Sequence, residues 1–265
     1  MRLPHRTVFV VLLLGLLLPA AASRLAAEPL VPGCAANMDV ARLSLPLTHL
    51  ARPLVAHQPL KIVAIGSSST AGAGASSPAA SYPSRLQVEL SAAWPQSVIS
   101  VVNRGVNGEE AAQMLARFDR AVVPERPDLV IWQVGTNALL RRSSFESLGA
   151  TIREGLERLK ALGADVIVID PQFAPQVIAT QQTDRVLTML SVSATSEHVG
   201  LFRRYALMRY WKEEKHLPFA QFVAPDGLHM NDWGYACLAR ALAQAIVEAA
   251  TRVQTAQVPT LQQPH

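Results

Sequence analysis

Lys61-Ile62-Val63-Ala64-Ile65-Gly66-Ser67-Ser68-Ser69-Thr70-Ala71-Gly72-Ala73-Gly74 is the stretch that decides the fold. It opens as an apolar, β-branched run and breaks at Gly66 into small hydroxylated residues. A short apolar run closed by a turn signal reads as a strand buried on both faces, as in a parallel sheet. The segment after Gly66 is then a loop at the carboxyl end of that strand, where open α/β sheets keep their ligands. Three consecutive serines supply hydroxyls there. Taken alone, the stretch is compatible with a nucleophile loop and with a plain small-residue turn.

Outward from this point the pattern recurs. Val98–Val102 reads as a second strand, ending at Asn103-Arg104-Gly105-Val106-Asn107-Gly108. Asp128–Val134 reads as a third, ending at Gly135-Thr136-Asn137. Asp165–Ile169 is a fourth, running into Asp170-Pro171-Gln172-Phe173, and Val199–Phe202 a short fifth. Helical periodicity fills the intervals: Pro83 to Ala93, Glu109 to Arg120, Phe145 to Leu162, Thr183 to Glu197, Arg203 to Lys215 and Asp232 to Thr251. Pro83 suits a first helical turn, and Glu109 suits the positive end of the helix it opens. Strands alternating with helices predict an α/β domain over residues 60–251. Its architecture is a three-layer α/β/α sandwich around a parallel sheet of about five strands. Residues 28–59, rich in Pro, Ala and Leu, read as an N-terminal arm packed on that domain. Residues 252–265, without periodicity and with little charge, read as a flexible tail.

Half of the 265 residues are apolar and 17% are charged, which is a globular composition on a chain long enough for one large core. Residues 1–27 have the layout of a signal peptide. Arg2 and Arg6 precede the apolar run Val8–Leu18, and Pro19-Ala20-Ala21-Ala22 offers a cleavage site, with Leu25-Ala26-Ala27 as a second. That run is short of the about 20 residues a membrane span needs, so cleavage and export to the periplasm or medium are expected rather than an anchor. No later segment is apolar enough to span. Removing residues 1–27 takes away Arg2, Arg6 and Arg24 and no acid, so 24 basic against 20 acidic residues become 21 against 20. With no basic patch, nucleic acid is not an expected partner. Cys34 and Cys237 are the two cysteines; in an exported chain they form one disulfide, or they are unrelated and Cys237 is simply buried. No CxxC or HExxH spacing suggests a metal site.

The first three strands each end in a glycine flanked by small polar residues, and in a parallel sheet those ends share one edge. Ester hydrolysis needs a nucleophile, a base and donors for an oxyanion. Hydroxyls come from Ser67 to Ser69. Among the histidines, His49 and His57 fall in the arm, His265 in the tail, and His198 and His216 at helix ends. His229 alone sits in a polar loop before the last helix, three residues after Asp226, whose carboxylate is placed to orient an imidazole. Gly72-Ala73-Gly74 lacks the third glycine of a dinucleotide fingerprint, and no P-loop Gly-Lys-Ser/Thr follows.

Four blocks in order, Gly66-Ser67-Ser68-Ser69, Gly105 within Asn103–Gly108, Gly135-Thr136-Asn137 and Asp226-Gly227-Leu228-His229, resemble the SGNH (GDSL-type) hydrolase family. The resemblance implies a flavodoxin-like sandwich needing no cofactor. It implies Ser68 as nucleophile, His229 as general base and Asp226 as its orienting acid. For the oxyanion it implies the backbone N–H groups of Ser68 and Gly105 and the side-chain amide of Asn137. Two positions depart from the pattern: Ser67 stands where an acidic residue usually precedes the serine, and Ala138 where one often follows the asparagine.

Together these features lead to an exported serine esterase acting through an acyl-enzyme on a small-molecule or glycan ester, with acetyl on a carbohydrate as the expected substrate. A lysophospholipase or thioesterase is the alternative, with Phe173 and Phe222 as candidate linings of an acyl groove. An O-acyltransferase or a non-catalytic binding module, suggested by the departures at Ser67 and Ala138, comes third.

Overall fold

In the computed structural model the described residues are 33–34 and 37–256; residues 1–27, read as a signal peptide, and residues 257–265 of the expected tail lie outside them. Five strands, β1 (Leu60–Gly66), β2 (Ile99–Gly105), β3 (Leu129–Gln133), β4 (Asp165–Ile169) and β5 (Gly200–Phe202), form one sheet in the order β2-β1-β3-β4-β5. Every pairing is parallel, with Gly66 opposite Gly105 and Ile65 opposite Trp132. Five helices of ten residues or more cover the sheet: α1 (Tyr82–Ala93), α2 (Phe145–Lys160), α3 (Thr183–Ser196), α4 (Arg204–Glu213) and α5 (Asp232–Ala256).

The strands alternate side chains between two cores, which is why they read as continuous apolar runs. Ile62, Ala64, Leu129, Ile131, Ile167 and Ile169 face α1, α4 and α5. Val63, Ile65, Val130, Trp132, Val166 and Val168 face α2 and α3. This is a three-layer α/β/α sandwich. Tyr205, Leu207, Met208 and Trp211, apolar at helical spacing, pack against the first core, with the last three fully buried.

Residues 37–59 join the first core. Leu43 and Leu50 are fully buried, and the Leu50 N–H donates to Asp165 Oδ2 at 2.9 Å. A Cys34–Cys237 disulfide, with Cα atoms 5.4 Å apart, ties this segment to α5. The last helix runs five residues past the expected Thr251, to Ala256.

Two regions differ from the expected periodicity. The helix expected over Glu109 to Arg120 is two short ones, Ala111–Leu115 and Phe118–Ala121, and the break falls at Arg117 (φ −113°, ψ 6°). The loops after β1 and β3 wind directly into single turns, Ser68–Ala71 and Thr136–Arg141, too short to leave a periodic signature. Because β1 lies between β2 and β3, the chain reverses its direction of winding at β1, and a crevice opens beyond the carboxyl ends of these strands.

Candidate active site

Of the three serines, the fold exposes one. Ser67 and Ser69 are each 2% accessible, while Ser68 is half-buried at the crevice. The Ser67 hydroxyl donates to Gln133 Oε1 at 3.0 Å. Ser69 lies beside the Tyr235 hydroxyl, which itself donates to the Ala73 carbonyl at 2.6 Å. Ser68 opens the short turn after β1, so its N–H has no acceptor within that turn.

His229 reaches this serine from 161 residues away. Its Nε2 lies 2.8 Å from Ser68 Oγ, and its Nδ1 lies 2.6 Å from Asp226 Oδ2. Ionised Asp226 only accepts, so the imidazole carries its proton on Nδ1 and turns the Nε2 lone pair to the serine hydroxyl. The other Asp226 oxygen accepts from the Leu228 and His229 N–H groups at 2.9 and 3.0 Å, which folds Asp226 to His229 into one tight turn. An antiparallel bridge, Val223 to Met230, closes the loop at its base, and Gln176 Nε2 donates to the Asp226 carbonyl at 2.7 Å. Partial burial works against the Asp226 charge. The His229 imidazole and the two backbone N–H groups outweigh it and hold this carboxyl below the usual carboxylate range.

The donors opposite this chain come from the β2 and β3 ends. Asn137 donates from Nδ2 to the Glu109 carbonyl at 2.8 Å, which fixes its amide and leaves its second N–H unused by that bond. Gly105 departs from the role implied by the resemblance. Its N–H donates to Asn103 Oδ1 at 2.9 Å and is therefore taken. What requires glycine there is close approach, since a Cβ would run into the backbone of Thr70 and Ala71. Gly108, three residues on, has φ +78° and an N–H with no protein acceptor among the described residues, and it precedes the residue whose carbonyl holds Asn137.

A family model described as the non-GDSL lipase-like family matches residues 33–252. The chain belongs to that family. Over 152 residues it is 26% identical to thioesterase 1/protease 1/lysophospholipase L1 of Escherichia coli K12, covering 55% of this chain and 69% of that protein. Over 173 residues it is 24% identical to an acetylxylan esterase of Geobacillus stearothermophilus, covering 59% and 76% of the two. Among solved structures it superposes on a two-domain esterase active on acetylated mannans with a TM-score of 0.68 at 20% identity. That match covers 80% of this chain, which spans 55% of the two-domain protein's length. The last likeness is one of fold.

In this member of the non-GDSL lipase-like family, both departures have a structural counterpart. Ser67 turns inward to Gln133, a fully buried polar residue at the end of β3. Gln133 Oε1 gathers the Ser67 N–H, the Ser67 hydroxyl and the Thr70 hydroxyl at 3.0, 3.0 and 3.2 Å. Ala138 packs into the second core, where a carboxylate would be buried without water. Arg117 is a further residue that sequence periodicity does not reveal. It is buried, pairs through Nε with Glu109 Oε2 at 2.7 Å, and donates from Nη2 to the carbonyls of Arg104 and Gly66 at 2.8 and 3.3 Å. Gln133 had a legible signal, a lone polar residue inside an apolar run; Arg117 had none. His57, His198 and His216 sit exposed at turns with positive φ, away from Ser68. A groove of 770 Å³ between α2 and α3, lined by Phe145, Met189 and Val192 among others, contains none of these site residues.

Proposed function

We propose that this member of the non-GDSL lipase-like family is a serine carboxylic ester hydrolase working through an acyl-enzyme, with short acyl groups on carbohydrate as its substrates. The observation that carries this is the chain Ser68 Oγ, His229 Nε2, His229 Nδ1, Asp226 Oδ2, with links of 2.8 and 2.6 Å. In the first half-reaction Ser68 Oγ attacks the ester carbonyl as His229 Nε2 takes its proton. The tetrahedral oxyanion is met by the N–H of Ser68, the N–H of Gly108 and the free N–H of Asn137. Collapse expels the alcohol, which takes the proton from His229. Water then repeats the sequence on the acyl-enzyme and frees the acid. Asp226, already held ionised, supports the imidazolium that forms at each step.

The similarity to a Geobacillus acetylxylan esterase supports a carbohydrate ester, and the Escherichia coli relative supports a thioester or lysophospholipid. Packing favours the short acyl group. Phe222 is fully buried and Phe173 is 8% accessible, stacked on Phe219 at 5.8 Å and edge-on to Tyr205 at 5.1 Å, so neither is open to line an acyl groove. Export rests on residues 1–27, which lie outside the described residues; among the described ones no helix is long and apolar enough to cross a membrane. A series of p-nitrophenyl esters is expected to give the highest kcat/KM at acetate and a fall with chain length. A rise towards long chains would replace the carbohydrate reading with the lysophospholipase one.

A further inference from the structure

Beneath the candidate active site lies a buried polar assembly that the acyl-transfer mechanism does not use. Gln172, in the loop after β4, is 1% accessible, and Arg204, at the start of α4, is fully buried. Arg204 donates from Nη2 to Gln172 Oε1 at 2.9 Å and from Nε to the Asp170 carbonyl at 2.9 Å. The Thr136 hydroxyl donates to the same Gln172 oxygen at 2.9 Å. Gln172 Nε2 donates to the Leu228 carbonyl at 3.1 Å. The orientation of this amide is determined, because a guanidinium only donates and must face the oxygen. We propose that Gln172 is a positioning residue, acting through Leu228 and Thr136 to hold the His229 loop and the Asn137 turn in one geometry around Ser68.

The argument is one of peptide planes. The Leu228 C=O and the His229 N–H belong to the same peptide unit. Gln172 grips that unit at its oxygen, and Asp226 Oδ1 grips it at its N–H, at 3.0 Å. A plane held at both ends leaves His229 little freedom to swing from Ser68. Through Thr136, the residue before Asn137, the same amide is joined to the turn that carries the oxyanion donor. Arg204 keeps the amide in place at a cost, since its Nη1 is buried with no partner among the described residues. An apolar side chain would fill that volume without the desolvation penalty of a buried charge. What the guanidinium provides instead is a fixed donor for Gln172 and for the Asp170 carbonyl.

The proposal rests on the esterase reading, and Gln172→Glu separates the two. The introduced carboxylate keeps an acceptor for Arg204 and Thr136 but places a second acceptor against the Leu228 carbonyl. The melting temperature is expected to fall only modestly, because the Arg204 and Thr136 bonds remain, while kcat on p-nitrophenyl acetate falls about 10- to 100-fold with KM within about threefold, the range that a misplacement of about 1 Å produces. The proton NMR signal of His229 Nδ1–H, bonded to Asp226, is expected to shift or broaden in the same variant. Gln172→Met, which removes all three bonds, is expected to lower both kcat and the melting temperature. Wild-type kcat and an unchanged Nδ1–H signal in Gln172→Glu would overturn the proposal and leave Gln172 a purely structural residue, whatever Gln172→Met does. If the wild-type chain turned over no ester, the esterase reading would fall instead, and the Nδ1–H signal would still decide whether Gln172 orients His229.

Discussion

Replacing Arg117 by Met removes the clamp beneath the ends of β1 and β2 and the proposed oxyanion donors while keeping most of the aliphatic volume. The guanidinium side chain is 5% accessible and its partner Glu109 is 14% accessible, so a buried cation meets a largely buried carboxylate. Removing the guanidinium leaves a largely buried carboxylate uncompensated, and the cost approaches that of breaking a fully buried pair, about 3–5 kcal/mol. The Arg104 and Gly66 carbonyls lose their donor as well. Against a total stability of about 5–15 kcal/mol that is a large share, yet small enough for a folded variant at the upper end. Changing Glu109→Gln together with Arg117→Met removes the stranded charge, and a coupling of about 1–3 kcal/mol between the two sites is expected. Activity falls too, because the Glu109 carbonyl holds Asn137 Nδ2 at 2.8 Å; a complete loss of that donor costs about 10²–10³ in kcat. Urea unfolding followed by tryptophan fluorescence gives the stabilities, and p-nitrophenyl acetate turnover gives kcat. A loss below about 1 kcal/mol in Arg117→Met, with kcat unchanged, would show that the clamp contributes nothing beyond a surface ion pair.

Asn137→Ala is expected to lower kcat by about 10²–10³ while costing about 1 kcal/mol of stability, read by initial rates and urea unfolding. Asp170 gives a pH signature. Burial, opposed by the Tyr205 N–H and the Arg204 charge, pushes its carboxyl up to about 7. The folded state therefore keeps a proton that the unfolded chain releases near about pH 4. The stability from this group is fully present below that point and is lost as the pH rises through about 7. Melting curves are expected to show the wild type losing more stability between about pH 5 and about pH 8 than Asp170→Asn does; equal losses would contradict the assignment.

Much of the fold is legible in the amino-acid sequence because it rests on local repetition. Ile62 to Ile65, Val130 to Trp132 and Val166 to Ile169 alternate between two apolar cores, so each run reads as a strand buried on both faces. The meeting of the serine run with His229 and Asp226 is legible for a different reason: the strand ends share an edge, and the spacing from Asp226 to His229 is itself a turn; the choice of Ser68 within that run comes from the resemblance alone. What escapes is chemistry fixed by distant contacts. Gly105 and Gly108 look equivalent as letters, but a side chain two residues away takes the N–H of one, while that of the other meets no acceptor among the described residues. Arg117 and Glu109 sit in what reads as one helix, and the break at Arg117 lets the guanidinium reach under the strand ends. Gln172 and Arg204 meet across 32 positions, which no periodicity encodes.

The central claim is that Ser68, and neither of its neighbours, carries the acyl group. Treating the protein with a fluorophosphonate probe and locating the adduct by peptide mass spectrometry tests it directly. Labelling is expected on Ser68, to be abolished in Ser68→Ala and in His229→Ala, and to persist in Ser67→Ala, whose hydroxyl is already given to Gln133. An adduct on Ser67 or Ser69, or full turnover by Ser68→Ala, would contradict it.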